Sequence, residues 1–263
     1  MAGLTSKTPS ATYKDLLKIE NSNSGVDDTL RQVESGDGTG SALYIEKNSI
    51  KITPATDDTA LLDVKNKSGT TKFKVDSTNN AVSALGHNVN TQYAYFGMGH
   101  NATTSFAANT HYPLIYNGVY VVHGEADVDF GTGTNPDDSF TTADTDTQYA
   151  AQIVPMMWRV PDDITIDSIS HIEGADNATG DTTRMQLKSF TLSSGSTSCL
   201  TSGAILARNS DVTNAGNEQA YLSTWTVDSA SVAAGKVLVA FFRSDSINSD
   251  YSLNITVKYH LTG

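Results

Sequence analysis

Residues 42–82 read ALYIEKNSIKITPATDDTALLDVKNKSGTTKFKVDSTNNAV. Leu43 and Ile45 alternate, as do Ile50 and Ile52. Ala60, Leu62 and Val64 lead into the turn Asn66-Lys67-Ser68-Gly69-Thr70, and Phe73 and Val75 follow it. A second turn, Asp76 to Asn80, precedes Val82. Two or three apolar side chains at a spacing of two predict short strands. A hairpin this poor in apolar surface is marginal in water by itself. Such strands need a partner, and a second copy of the same chain supplies one. The stretch therefore predicts an intertwined homo-oligomer. Its candidate core is Leu43, Ile45, Ile50, Ile52, Leu62, Val64, Phe73 and Val75.

The remaining chain supports an all-β reading. Of 263 residues, 38% are hydrophobic and only 17% charged, so Ser, Thr, Asn and Gly fill the difference. β-branched and turn residues dominate over helix-forming mixtures. The net charge of −12 argues against nucleic acid, whose phosphates require clustered Lys and Arg. It argues equally against an anionic membrane surface. Cys199 is the lone cysteine, so neither an intrachain disulfide nor a cysteine zinc site is available. Met1 to Tyr13 has no basic n-region followed by an apolar h-region, and synthesis in a cytosol is expected. No window resembles a membrane-spanning helix.

Four regions are expected. Residues 1–41 form an N-terminal attachment segment, with Tyr13 to Glu20 readable as either a helical turn or a strand. Residues 42–83 form the β stalk. Residues 84–109, rich in Asn, Thr, Gly and His, form a connector. Residues 110–263 carry longer strands at 118–122, 151–160, 164–172, 185–192, 204–207, 220–227, 237–242 and 251–261. Ile164, Ile166 and Ser168 are expected on one face, as are Leu253, Ile255, Val257, Tyr259 and Leu261. About eight strands with long polar loops suit a β-sandwich of jelly-roll type.

Chemistry-bearing motifs are sparse. His87, His100, His111, His123, His171 and His260 lack metal-ligand spacing. Asp127-Val-Asp129-Phe-Gly131 with Asp137 and Asp138 has the acidic alternation of a calcium loop, but not its full ligand set. A solvated loop is the ordinary reading, and no cofactor is expected. No nucleophile elbow, zincin motif or phosphate loop appears. The pairs Asp27/Asp28, Asp57/Asp58 and Asp162/Asp163 sit in turns without the aromatics of a glycan cleft. The chain reads as a non-enzyme. Met156-Met157-Trp158 and Phe241-Phe242 read as core or interface. Tyr93, Tyr95 and Phe96, set among polar neighbours, are candidates for stacking on a ligand such as a sugar. The Asn-x-Thr triplets at 101, 177 and 254 are expected by chance in an Asn/Thr-rich chain.

The run Asp15-Leu-Leu-Lys-Ile-Glu-Asn-Ser-Asn-Ser-Gly-Val26, with Leu30, Gly36-Asp-Gly38 and Ser41-Ala-Leu43, resembles segments near the N-termini of tailed-phage fibre proteins. Leu62-Asp-Val64, Ser68-Gly-Thr70, Phe73-Lys-Val-Asp76 and Asn80-Ala-Val82 resemble the strand–turn–strand units of their shafts. The resemblance covers residues 13–82 and carries no catalytic motif. It implies a parallel homotrimer in the virion, docked by its N-terminus to another virion protein, with a distal β-sandwich head. It further implies that the head engages a host-surface ligand, with a glycan as the candidate class. Placement on the capsid, as a head fibre or decoration protein, is the alternative. A polysaccharide-degrading tailspike would need a longer chain with β-helix repeats.

Overall fold

Turn chemistry punctuates the N-terminal third into short strands. The Asn66 carboxamide accepts hydrogen bonds from the Thr70 backbone N–H (2.8 Å) and the Ser68 hydroxyl (2.9 Å). Gly69 takes the left-handed conformation that closes this turn (φ +84°). At the next turn the Asp76 carboxylate accepts from both the backbone and the side chain of Asn79, each at 2.9 Å. The computed structural model describes residues 17–21, 24–101, 107–118, 128–142, 149–176, 179–246 and 250–262. It divides after Val89 into two units.

The first unit holds two antiparallel meanders. One orders β1 (Leu17–Ile19), β2 (Arg31–Ser35), β3 (Gly40–Ile45) and β4 (Ile50–Ile52) in sequence. The other orders β5 (Leu62–Lys65), β6 (Thr71–Asp76), β7 (Ala81–Ala84) and β8 (His87–Asn88). Two expectations change here. The boundary at residue 41 cuts through β3, whose pairing with β2 makes residues 31–45 one hairpin. Leu17–Ile19 is a strand, paired with β2, which decides the ambiguity there. The remainder of the expected docking arm, residues 1–16, lies outside the described residues.

The second unit is a two-sheet sandwich. Its strands are β9 (Thr91–Asn101), β10 (Tyr112–Pro113), β11 (Ile115–Tyr116), β12 (Trp158–Arg159), β13 (Ile164–Asp176), β14 (Thr182–Leu192), β15 (Leu200–Arg208), β16 (Val212–Thr213), β17 (Gln219–Thr224), β18 (Thr226–Val227), β19 (Ser231–Val232), β20 (Val237–Ser244) and β21 (Asp250–Leu261). One sheet runs β11-β9-β21-β13-β17, with β19 on β13. The other runs β10-β20-β14-β15-β18, with β12 on β20 and β16 on β14. Every pairing is antiparallel. The expected connector therefore contains β9, a long strand of the sandwich, because Ala94, Phe96 and Met98 alternate into the core. The strand expected at 118–122 falls mostly outside the described residues.

Phe96, Ile255, Val257 and Ile169 of one sheet pack against Met185, Leu187, Leu238 and Ala240 of the other. A second core lies on the far side of the β20–β14 sheet. There Val237, Val239, Phe241, Phe190 and Leu200 are covered by Val128, Phe130, Phe140, Ile153 and Met156. This explains why Val237 to Phe242 are all buried and why the run shows no alternation. The covering segment also corrects the strand expected at 151–160. Residues 149–153 are helical and Val154–Met156 form a 3-10 turn with Pro155 at its start. Short apolar runs do not distinguish helix from strand, and Pro155 has no N–H to give a sheet.

Candidate functional site

The candidate sites are surfaces. The first lies on the two meanders. Leu43 pairs with Ile52 and Ile45 with Ile50, which puts all four on one face of their sheet. Leu62 pairs with Val75 and Val64 with Phe73; Val82 and Ala84 extend the same face. All eight candidate core residues thus fall on two apolar faces. None is buried: Ile50 is 72% exposed, and Leu43, Ile52, Leu62, Val64 and Phe73 are also exposed. The reverse faces are polar. Lys65 and Thr71 hold the Asp63 carboxyl below the usual carboxylate range. On the first meander Arg31, in register with Ile45, stands at the edge of the apolar face itself; it reaches both carboxylate oxygens of Asp27 and brings that pKa down to about 2.

The second surface is the outer face of the β9–β21–β13–β17 sheet. Successive rows across it are Tyr93–Lys258–Ser168, Tyr95–Thr256–Ser170–Thr224 and Gly97–Asn254–Ile172–Leu222. Tyr93 and Tyr95 are exposed there, as expected of ligand-contact candidates. Phe96 is not one of them: it is 1% exposed and points the other way, its ring 5.5 Å from Tyr116 and 6.5 Å from Trp158. Strand alternation separates it from its tyrosine neighbours. A groove of about 560 Å³ lies beside Tyr95, with Gly97, Gly174, Ile172, Ala220 and Ser252 among its lining. A Cβ on Gly97 would come within 2.8 Å of the Leu253 carbonyl oxygen, so glycine is required there.

A bulge re-aims β13. The register to β21 shifts between Ile166 and Ser168, so Ser168 faces outward while Ile164 and Ile166 face the core. Beyond it His171 and Glu173 alternate inward with Ile169, which the expected phase did not anticipate. Trp225 Nε1–H donates to His171 Nδ1 at 2.8 Å, and the Thr183 hydroxyl donates to Glu173 Oε2 at 2.8 Å. Burial lowers the His171 pKa to about 4 and raises that of Glu173.

The candidate calcium loop has a cation of its own. Lys188, 1% exposed in β14, donates from Nζ to the Pro136 carbonyl, to the Asp137 carbonyl (3.0 Å) and to Asp138 Oδ1 (2.5 Å). Two residues back along the same strand face, Gln186 donates to Asn135 Oδ1 (2.7 Å). Arg184, one step further, donates to the Thr134 carbonyl (3.0 Å) and both oxygens of Asp211. Asp129 accepts the Gly131 backbone N–H at 2.9 Å, and Asp127 lies outside the described residues. The alternation Arg184-x-Gln186-x-Lys188 around the apolar Met185 and Leu187 hints at a polar face on β14, but not at its partners. Among the described residues no group of three His, Cys, Asp or Glu side chains is placed to hold a metal. His111 is buried and spent on the Gly133 carbonyl (3.0 Å), and His260 pairs with Asp167 (2.8 Å).

No protein-family model matches this chain, and no curated protein matches it in sequence.

Proposed function

We propose that this chain is a structural virion protein of a tailed phage: a short homotrimeric fibre with a β-stalk and a jelly-roll head. The observation that carries the reading is the pair of uncovered apolar faces on the first unit. Burying one Leu, Ile or Phe side chain is worth about 1.5–3 kcal/mol. Meanders with their apolar sides turned to water gain that energy when three copies share a core. The resemblance of residues 13–82 to phage fibre segments supplies the biological setting.

The jelly-roll assignment is supported by strand order. Numbering β9, β10, β13, β14, β15, β17, β20 and β21 from first to eighth, one sheet reads 1-8-3-6 and the other 2-7-4-5. That interleaving is what a jelly-roll winding calls for, and it supports the assignment. The N-terminal segment docks to another virion protein, and the head presents loops to a host-surface ligand, with a glycan as the favoured class.

Light scattering on the full chain tests the assembly: a mass three times the 28.0 kDa chain is expected, and a monomer overturns it. Antibody labelling of particles in the electron microscope tests the placement. Label on the tail is expected; label on the capsid would replace the tail fibre with a head fibre or decoration protein.

A further inference from the structure

The sandwich has two outer faces, and among the described residues of the second unit only one of them is covered. Residues 128–142 and 149–157 close the far side of the β20–β14 sheet with Phe130, Phe140 and Ile153. On the other sheet Ile172 and Leu222 oppose one another in register, 54% and 75% exposed, and Tyr93 and Tyr95 stand exposed on β9. We infer that this β9–β21–β13–β17 face is covered by a second copy of the same chain. The inference rests on the homotrimeric reading and names the head surface that takes part in it.

Charge selects this occupant. A chain of net charge −12 repels its own copies, so they approach where carboxylates are absent. From the row of Tyr93 to the row of Gly174, Lys258 is the one charged side chain in register on this face among the described residues. Carboxylates bound that span at both ends: Asp167 at the bulge, paired with His260, and the Asp176–Asp250 row next beyond Gly174.

Shape agrees with charge. Gly97, Gly174 and Ala220 bring little side-chain bulk to the groove beside Tyr95, which leaves room for a projecting side chain from a neighbour. Leu222 projects most, and a small ligand lodged in the groove would leave it wet. Chain connectivity adds a third argument. Only Val89 and Asn90 separate β8 from β9. Two residues span at most about 7 Å. Copies gathered through their first units thus hold their β9 strands at high local concentration.

Cysteine labelling tests this on the full chain in a Cys199→Ser background. Leu222→Cys and Tyr93→Cys report on the face from opposite sides; Ser196→Cys, in an exposed turn, is the control. Both reporters should react with maleimide at least tenfold more slowly than the control in material whose light-scattering mass is trimeric. A trimer in which both react at the control rate leaves the face open, as a ligand site would be, and overturns the inference while the trimer stands. A monomeric parent chain overturns the trimer and this inference with it.

Discussion

The indole N–H of Trp225 donates to Nδ1 of His171 at 2.8 Å inside the sandwich. Trp225 can only donate, so the neutral imidazole carries its proton on Nε2. That nitrogen lies 3.9 Å from Glu173 Oε2. A polar pair is thereby buried in the sandwich, tied through Trp225 to its main core.

The pair predicts acid sensitivity. Burial lowers His171, and independently His111, to about 4 from an ordinary 6.5. As pH falls the unfolded chain takes up these protons first, so stability drops from about pH 6.5 and the loss is complete near pH 4. At about 1.4 kcal/mol per pKa unit, each histidine contributes on the order of 3 kcal/mol. The thermal midpoint should fall by several degrees between pH 7 and pH 4.5; a flat midpoint across that range contradicts the placement of both rings.

Glu173 acts with the opposite sign. Its carboxyl is raised by burial, so above the usual carboxylate range the unfolded chain loses the proton first and the folded state is penalised. Glu173→Gln keeps an acceptor for the Thr183 hydroxyl and removes the titration. The variant should melt at a higher temperature than the parent at pH 7 and show a smaller difference near pH 4. An unchanged or lower midpoint at pH 7 rejects the argument.

Lys188 predicts both a cost and an indifference. Lys188→Met leaves the Pro136 and Asp137 carbonyls without their donor. The Pro136 carbonyl is the buried one of the two, and an unpaired buried acceptor costs about 1–3 kcal/mol, so a loss of roughly that size is expected in denaturant unfolding. Because the ammonium already sits among these oxygens, millimolar calcium should leave the parent's midpoint within about 1 °C, on the scale where a few degrees matches 1 kcal/mol. A clear calcium-dependent rise would reinstate the calcium loop.

Legibility followed the physics of each segment. In the first unit, Leu43, Ile45, Leu62 and Val64 were readable because one face carries all the apolar residues and turns flank each strand. β21 was readable for the same reason. The sheet buried on both sides was not: Val237 to Phe242 gave no phase, and Ala151 to Val160 read as one strand although a helix and a 3-10 turn with Pro155 take it as far as Met156 and the strand is confined to Trp158–Arg159. A bulge is silent in composition, so the phase slip at Asp167 hid His171 and Glu173 from the core. The Lys188 clamp joins residues about fifty positions apart, beyond the reach of any local pattern. In the aromatic island Phe96 is buried while Tyr93 and Tyr95 are exposed, since Tyr95 and Phe96 are consecutive and a strand sends them to opposite faces.

That last division is directly measurable. Phe96→Ala empties space beside Tyr116 and Trp158 in the main core, and truncating a buried Phe costs about 3–5 kcal/mol. Tyr95→Ala removes an exposed ring from the same strand and should cost the isolated fold under about 1 kcal/mol. The comparison belongs in a dilution regime where assembly does not contribute, because covering Tyr95 in an oligomer would add to its apparent cost. Urea unfolding at decreasing protein concentration separates the two. A Phe96→Ala loss that holds at every concentration, beside a Tyr95→Ala loss that shrinks on dilution, is the expected outcome. Equal, concentration-independent losses at both positions would mean that β9 does not alternate between core and surface.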